Sequence, residues 1–105
     1  MQKSEYYIGI IKPVREGFMT EPTKAEISTM NEHFEYLKHL LTEGKLILAG
    51  PAINNDNPFG ILIFKADSRE EAEQMMKNDP SVIAGVQIIK EFEPFNLSLY
   101  KPPKK

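Results

Sequence analysis

Apolar and polar positions switch between two periods along the chain, and the switches mark its elements. Glu5 to Lys12, EYYIGIIK, is rich in aromatic and β-branched residues and stops at Pro13, which predicts a first strand. Pro13 to Pro22 carries Gly17 and a proline at each end. It reads as a loop longer than most connections, and the apolar pair Phe18-Met19 inside it points to an ordered flap. Thr23 to Glu26, TKAE, is a capping box, in which hydroxyl and carboxylate satisfy the free amides that open a helix. From Lys24 to Glu43, Met30, Phe34, Leu37, Leu40 and Leu41 recur at helical intervals as one stripe facing a core, and Gly44 ends the helix.

Leu46 to Ala49 is a continuous apolar run that predicts a buried strand, stopped at Gly50-Pro51, and the Asn/Pro/Asp-rich stretch to Phe59 predicts a loop. Gly60 to Lys65, GILIFK, is a third strand. Ser68 to Glu71, SREE, predicts a second capping box, and Ala72, Met75 and Met76 form the apolar stripe of a helix that Asn78-Asp79-Pro80 ends. Val86 to Phe92 is a fourth strand, with Val86, Ile88 and Phe92 on one face.

The order is βαββαβ, an α+β fold with two helices on one face of a four-stranded antiparallel sheet. Right-handed crossovers around a central hairpin give the spatial strand order 4-1-3-2. That topology gathers the end of the first strand, the start of the first helix, Pro51 and Asp79 at one edge, where the long loop also opens. On the third strand Ile61 and Ile63 point one way while Leu62 and Phe64 point the other, so both sheet faces are apolar. A second subunit is the natural cover for the helix-free face, which predicts a homodimer packed sheet face to sheet face.

Composition narrows the chemistry. With 105 residues the chain is expected to form one domain over residues 1–100, followed by a basic tail, KPPKK, at 101–105. It is 41% hydrophobic, yet no apolar run approaches the roughly 20 residues that cross a bilayer. A globular protein without a membrane partner is expected, and the lack of a secretory pattern in the first segment places it in the cytoplasm. Thirteen Lys plus Arg against fifteen Asp plus Glu are interspersed, for a net charge of -2. No basic stripe is available to neutralise phosphates, so nucleic acid is not an expected partner. The absence of cysteine rules out disulfides, thiolate nucleophiles and Cys-ligated metal clusters.

Of the two histidines, His33 lies about 40° around the helix from Leu37, at the margin of the apolar stripe, and His39 falls on the far side as a surface residue. Asp79, after the second helix, sits at the negative end of that helix's dipole, where a nearby cation would stabilise it. An imidazolium at His33 fits that need. A carboxylate bonded to one ring nitrogen sets the tautomer and suits the other nitrogen to acid or base work near neutral pH. Histidines on opposite helix faces do not build a transition-metal shell, so neither a metal nor another cofactor is expected. Ser68 is occupied as a cap, and no G-x-S-x-G nucleophile elbow occurs.

The ordered set EYYIGI, H-x-x-Y-L (His33, Tyr36, Leu37), GKLILAGP (Gly44 to Pro51), GILIF, SREEA, Asp79-Pro80, Ala84-Gly85 and Pro94-Phe95 resembles the YciI-like (YCII-related) proteins over essentially the whole chain apart from its tail. The resemblance implies a dimeric α+β barrel of ferredoxin-like topology with a histidine and an aspartate close together in a pocket. By motif position these are His33 and Asp79. Relatives include proteins similar to muconolactone-type isomerases and chloromuconolactone dehalogenases. Many relatives have an arginine one turn before the histidine, where this chain has Met30, and Arg15 in the long loop is the candidate to replace it.

The expected function is therefore a small cofactor-independent enzyme. His33 would act as acid or base and Asp79 would orient it, in an isomerase, lyase or hydrolase reaction on a small organic molecule. Tyr7, Arg15, Tyr36, Gly50 and Pro51 are the candidates for contacting that ligand. The alternative from another class is a non-catalytic ligand-binding or interaction module on the same dimer scaffold. A cofactor-free monooxygenase is a further reading.

Overall fold

The computed structural model describes residues 5–54 and 56–101. Four strands, β1 (Tyr6–Pro13), β2 (Leu46–Pro51), β3 (Gly60–Lys65) and β4 (Gln87–Phe95), form one antiparallel sheet in the order β2-β3-β1-β4. This is the expected 4-1-3-2 arrangement. Helices α1 (Lys24–Thr42) and α2 (Arg69–Lys77) pack on one sheet face, burying Leu37, Leu40, Ala72, Met75 and Met76 against Tyr7, Ile11, Leu46, Leu62 and Phe64. Residues 102–105 of the basic tail lie outside the described residues. Among the described residues no helix is long and apolar enough to cross a membrane.

Local signals decide the helix ends. Thr23 and Glu26 form the reciprocal capping box, and Gly44 follows α1 at φ +77°, a conformation that side chains with a Cβ resist. At α2, Ser68 accepts the Glu71 amide at 3.1 Å, but Glu71 reaches back to the Asp67 amide at 3.4 Å instead of closing a second box. Gly9 has a packing role: a Cβ there would stand 2.5 Å from the Sδ and Cε of Met76, so the end of that side chain fills the space over Gly9 and would have to shift for any larger residue.

Four expectations are corrected. The first is the helix count, because a third helix, α3 (Pro80–Ile83), follows α2. Pro80 has no N–H with which to continue the α2 ladder, but it fits a first helical position, so Asp79 becomes the N-cap of a new turn and does not merely close the old one. Second, the α1 stripe is only partly core, with Leu37 and Leu40 buried while Phe34 is 61% and Leu41 52% exposed. Third, β2 is not the buried strand expected, since only Leu46 on it is fully buried.

Fourth, β4 contains a bulge: Ile10 pairs with Glu91 and Ile11 with Ile89, leaving Lys90 as an extra residue. Ile89 and Phe92 therefore both pack on the core, and Ile88 points to the other face. A similar register shift lies between Leu46 and Leu48 in β2. The helix-free face carries Ile8 and Ile10 of β1, Ile61 and Ile63 of β3, Leu48 of β2 and Ile88 of β4.

Candidate functional site

The expected pair is joined. His33 Nδ1 lies 2.9 and 2.7 Å from the two carboxylate oxygens of Asp79, bridging α1 and the start of α3. Each partner is held in place by its own element. His33 is carried on the margin of α1, and Asp79 is 1% exposed because the N-cap position turns its side chain back over the first turn of α3. There Asp79 Oδ1 accepts the Ser81 amide and the Ser81 hydroxyl, each at 2.8 Å. Ser81 is itself fully buried, and its oxygen accepts from Gln87 Nε2 at 3.1 Å.

These bonds have one direction. A carboxylate only accepts, so His33 donates its Nδ1 proton to Asp79, and in the neutral ring the lone pair resides on Nε2. Nε2 makes no hydrogen bond within the described residues, and none of their buried side-chain nitrogens or oxygens lacks a partner, so this atom is open to solvent. The imidazole side chain as a whole is only 12% accessible.

It opens into a cleft of about 620 Å³ between α1 and the edge strand β2. Met30, Phe34, Leu37, Lys38 and Leu41 form the helix wall, and residues 46–51 of β2 form the other. The exposed half of the α1 stripe thus has a place: it lines the cleft. Phe18 and Met19, from the loop with a single 3-10 turn at Glu16–Phe18, complete one end. Lys38 stands at the rim, 5.4 Å from the Phe34 ring centroid and 3.1 Å from Glu35.

Gly50 and Pro51 line the same cleft as His33, as expected from the shared edge. Tyr7, Tyr36 and Arg15 are not among its lining residues. Tyr7 is 2% exposed and stacks on Phe92 in the core. Tyr36 donates to the Met75 carbonyl at 2.8 Å; burial, and secondarily the nearby charge of Asp79, push its phenol above the ordinary value, so it holds its proton.

Arg15 grips Glu26 with Nε at 2.9 Å and Nη2 at 2.7 Å, and Nη2 also reaches the Glu21 carbonyl at 2.7 Å. The Arg15 hydrogen bonds, followed by the Thr23 backbone amide, hold the Glu26 carboxyl down to about 2. Arg15 therefore ties the 14–22 loop to the start of α1. His39 is on the surface, 3.1 Å from Glu43.

Two residues of the site were not among the expected ones. Ser81 and Gln87 look ordinary in the chain, but Gln87 is a polar residue at an inward position of β4, two before Ile89, and a buried amide in such a strand needs partners.

A comparison with curated proteins returns no match. Among solved structures, the chain is similar to 5-chloro-2-hydroxyhydroquinone dehydrochlorinase (TftG) from Burkholderia phenoliruptrix AC1100, in complex with 2,5-dihydroxybenzoquinone. The TM-score is 0.61 at 23% identity, covering 87% of this chain and 93% of that one, a likeness of fold. The model of the YCII-related domain matches residues 8–96. That span includes every strand but the first two residues of β1, all three helices and both members of the His33–Asp79 pair, and the chain belongs to the YCII-related domain family.

Proposed function

We propose that this protein is a small acid–base enzyme that works without a cofactor on a small organic molecule held in the cleft, with His33 moving the proton and Asp79 orienting the ring. The observation that carries the reading is the one-way hydrogen bond from His33 Nδ1 to a buried carboxylate, which leaves Nε2 open beside a largely apolar cavity. In the forward step Nε2 takes a proton from a substrate C–H, a hydroxyl or a water molecule, and the new imidazolium charge lies against Asp79. Returning the proton to a second atom completes an isomerisation. Delivering it to a leaving group completes an elimination or hydrolysis.

A dehydrochlorinase with this fold, solved with a dihydroxybenzoquinone bound, supports a small cyclic compound as the kind of ligand such a scaffold accepts. The test is His33→Asn, whose amide nitrogen keeps the donor to Asp79 and removes Nε2. In a screen of small lactones, enol-forming acids and chlorinated diols, the variant is expected to lose about 10²- to 10⁴-fold in turnover while its fold is unchanged. Turnover within threefold of wild type would exclude His33 as the proton carrier. Cleft binding without turnover in either protein would favour a non-catalytic binding module.

The same proposal includes a homodimer packed through the helix-free sheet face. In support, Ile8, Ile10 and Ile61 form an apolar centre on that face, around an Ile63 that is 4% exposed although it lies outside the core cluster. Glu91 and Glu93 of β4 and Lys65 of β3 flank it with both signs of charge, as a face that meets its own copy requires. Sedimentation is expected to give twice the chain mass for wild type and a single chain for Ile8→Glu. A wild-type monomer at tens of micromolar would refute this assembly.

A further inference from the structure

The donors and acceptors around the dyad form a chain whose direction is set at one end. Asp79 accepts only, so the Ser81 hydroxyl donates to it, and the Ser81 oxygen is left to accept. Gln87 must then present Nε2 to Ser81, at 3.1 Å, and the same nitrogen meets the sulfur of Met30 at 3.7 Å. Both amide protons are spoken for, which fixes the orientation of the amide and leaves Oε1 as the unpartnered end. Gln87 is 5% exposed and lines the cleft, and Oε1 has no partner among the described residues. No buried side-chain oxygen lacks a partner there, so Oε1 is the accessible atom.

The cleft is therefore lined by two groups that can accept, His33 Nε2 whenever the ring is neutral and Oε1 of Gln87, joined through Ser81, whose oxygen is 3.4 Å from His33 Nδ1. Around them the wall is apolar: Met30, Leu37, Ile11 and Leu62 contribute no polar side-chain hydrogens. A ligand that sits against them must bring the hydrogens itself, because an acceptor facing an acceptor in an apolar site loses its water and gains nothing.

We propose that the cleft selects a small, largely apolar molecule bearing O–H donors, in the form of a phenol, enol or diol and not a carboxylate, and that Gln87 is the selecting residue. The proposal rests on the reading that the cleft is a small-molecule site, but it concerns binding and stands apart from turnover. One hydroxyl lies against Gln87 Oε1. The second lies against His33 Nε2, where its proton can be taken.

The test is a chemical-shift titration of the full-length protein with hydroquinone under nitrogen, with 1,4-dimethoxybenzene, which has the same ring and no donor, and with terephthalate. Hydroquinone is expected to bind about tenfold more tightly than the diether, and terephthalate more weakly than either. In Gln87→Met, which keeps the length of the side chain, the preference for hydroquinone over the diether should fall to about twofold. Equal affinities for diol and diether in wild type overturn the proposal even if that variant does not fold, and so does an undiminished preference in a folded Gln87→Met. Shifts at no cleft residue with any of the three compounds overturn the small-molecule site itself, whereas donor-independent binding leaves that site and removes only the selection by Gln87.

Discussion

Asp79→Asn is expected to leave the chain folded and to invert the tautomer of His33. The asparagine oxygen can still accept from the Ser81 amide and hydroxyl, as Asp79 Oδ1 does at 2.8 Å. Its NH2 group then faces His33 Nδ1, where a second donor is intolerable, so the ring proton moves to Nε2. The cleft would lose an acceptor and gain a donor without any change of shape. Ring ¹⁵N shifts give the result directly: His33 Nε2 should pass from a pyridine-type to a pyrrole-type signal, with the exposed His39 unchanged. Turnover should fall by about 10²- to 10⁴-fold, the cost of a misplaced proton in such a pair. A pyridine-type Nε2 in the variant would show that the hydrogen bond does not run from ring to carboxylate.

Phe64→Ala is expected to be the most damaging single core substitution, at about 3–5 kcal/mol. Phe64 is 1% exposed on β3 and packs with Tyr7, Leu46 and Met76, so truncation opens a cavity that close-packed neighbours cannot refill. Phe34→Ala, by contrast, should cost less than about 0.5 kcal/mol, because its ring is already 61% exposed at the cleft wall. Urea unfolding with a common slope would separate the two. A stability loss at Phe34 matching that at Phe64 would mean that the cleft is closed in solution and its wall is part of a core.

That pair also shows where the sequence was informative. Thr23 with Glu26, Gly44 and the GILIFK run announce structure because their effect is local, and the strand order follows from handedness once the elements are known. Helical spacing put Phe34 and Leu37 on one stripe, but spacing does not say whether a stripe meets a sheet or an opening. Ile88 and Ile89 are indistinguishable in a string of apolar letters, and the bulge at Lys90 decides which one turns inward. Asp79-Pro80 carried a readable sign of a helix start that a turn reading hides. His33 and Asp79 were foreseeable through motif and shared edge, whereas Ser81 and Gln87 gain their role only from a hydrogen-bond chain that crosses α3 and β4.

The two partners of the dyad stand 46 positions apart, on either side of the hairpin loop that joins β2 to β3. One half of the chain supplies an imidazole and the other a carboxylate already loaded by its own serine. Neither half holds both groups, so the pair exists only where the two βα halves meet across the central strands β1 and β3. It follows that the His33 ring is a built-in gauge of that docking. Parting the halves would break the bond from His33 Nδ1 to Asp79 together with the β1–β3 ladder.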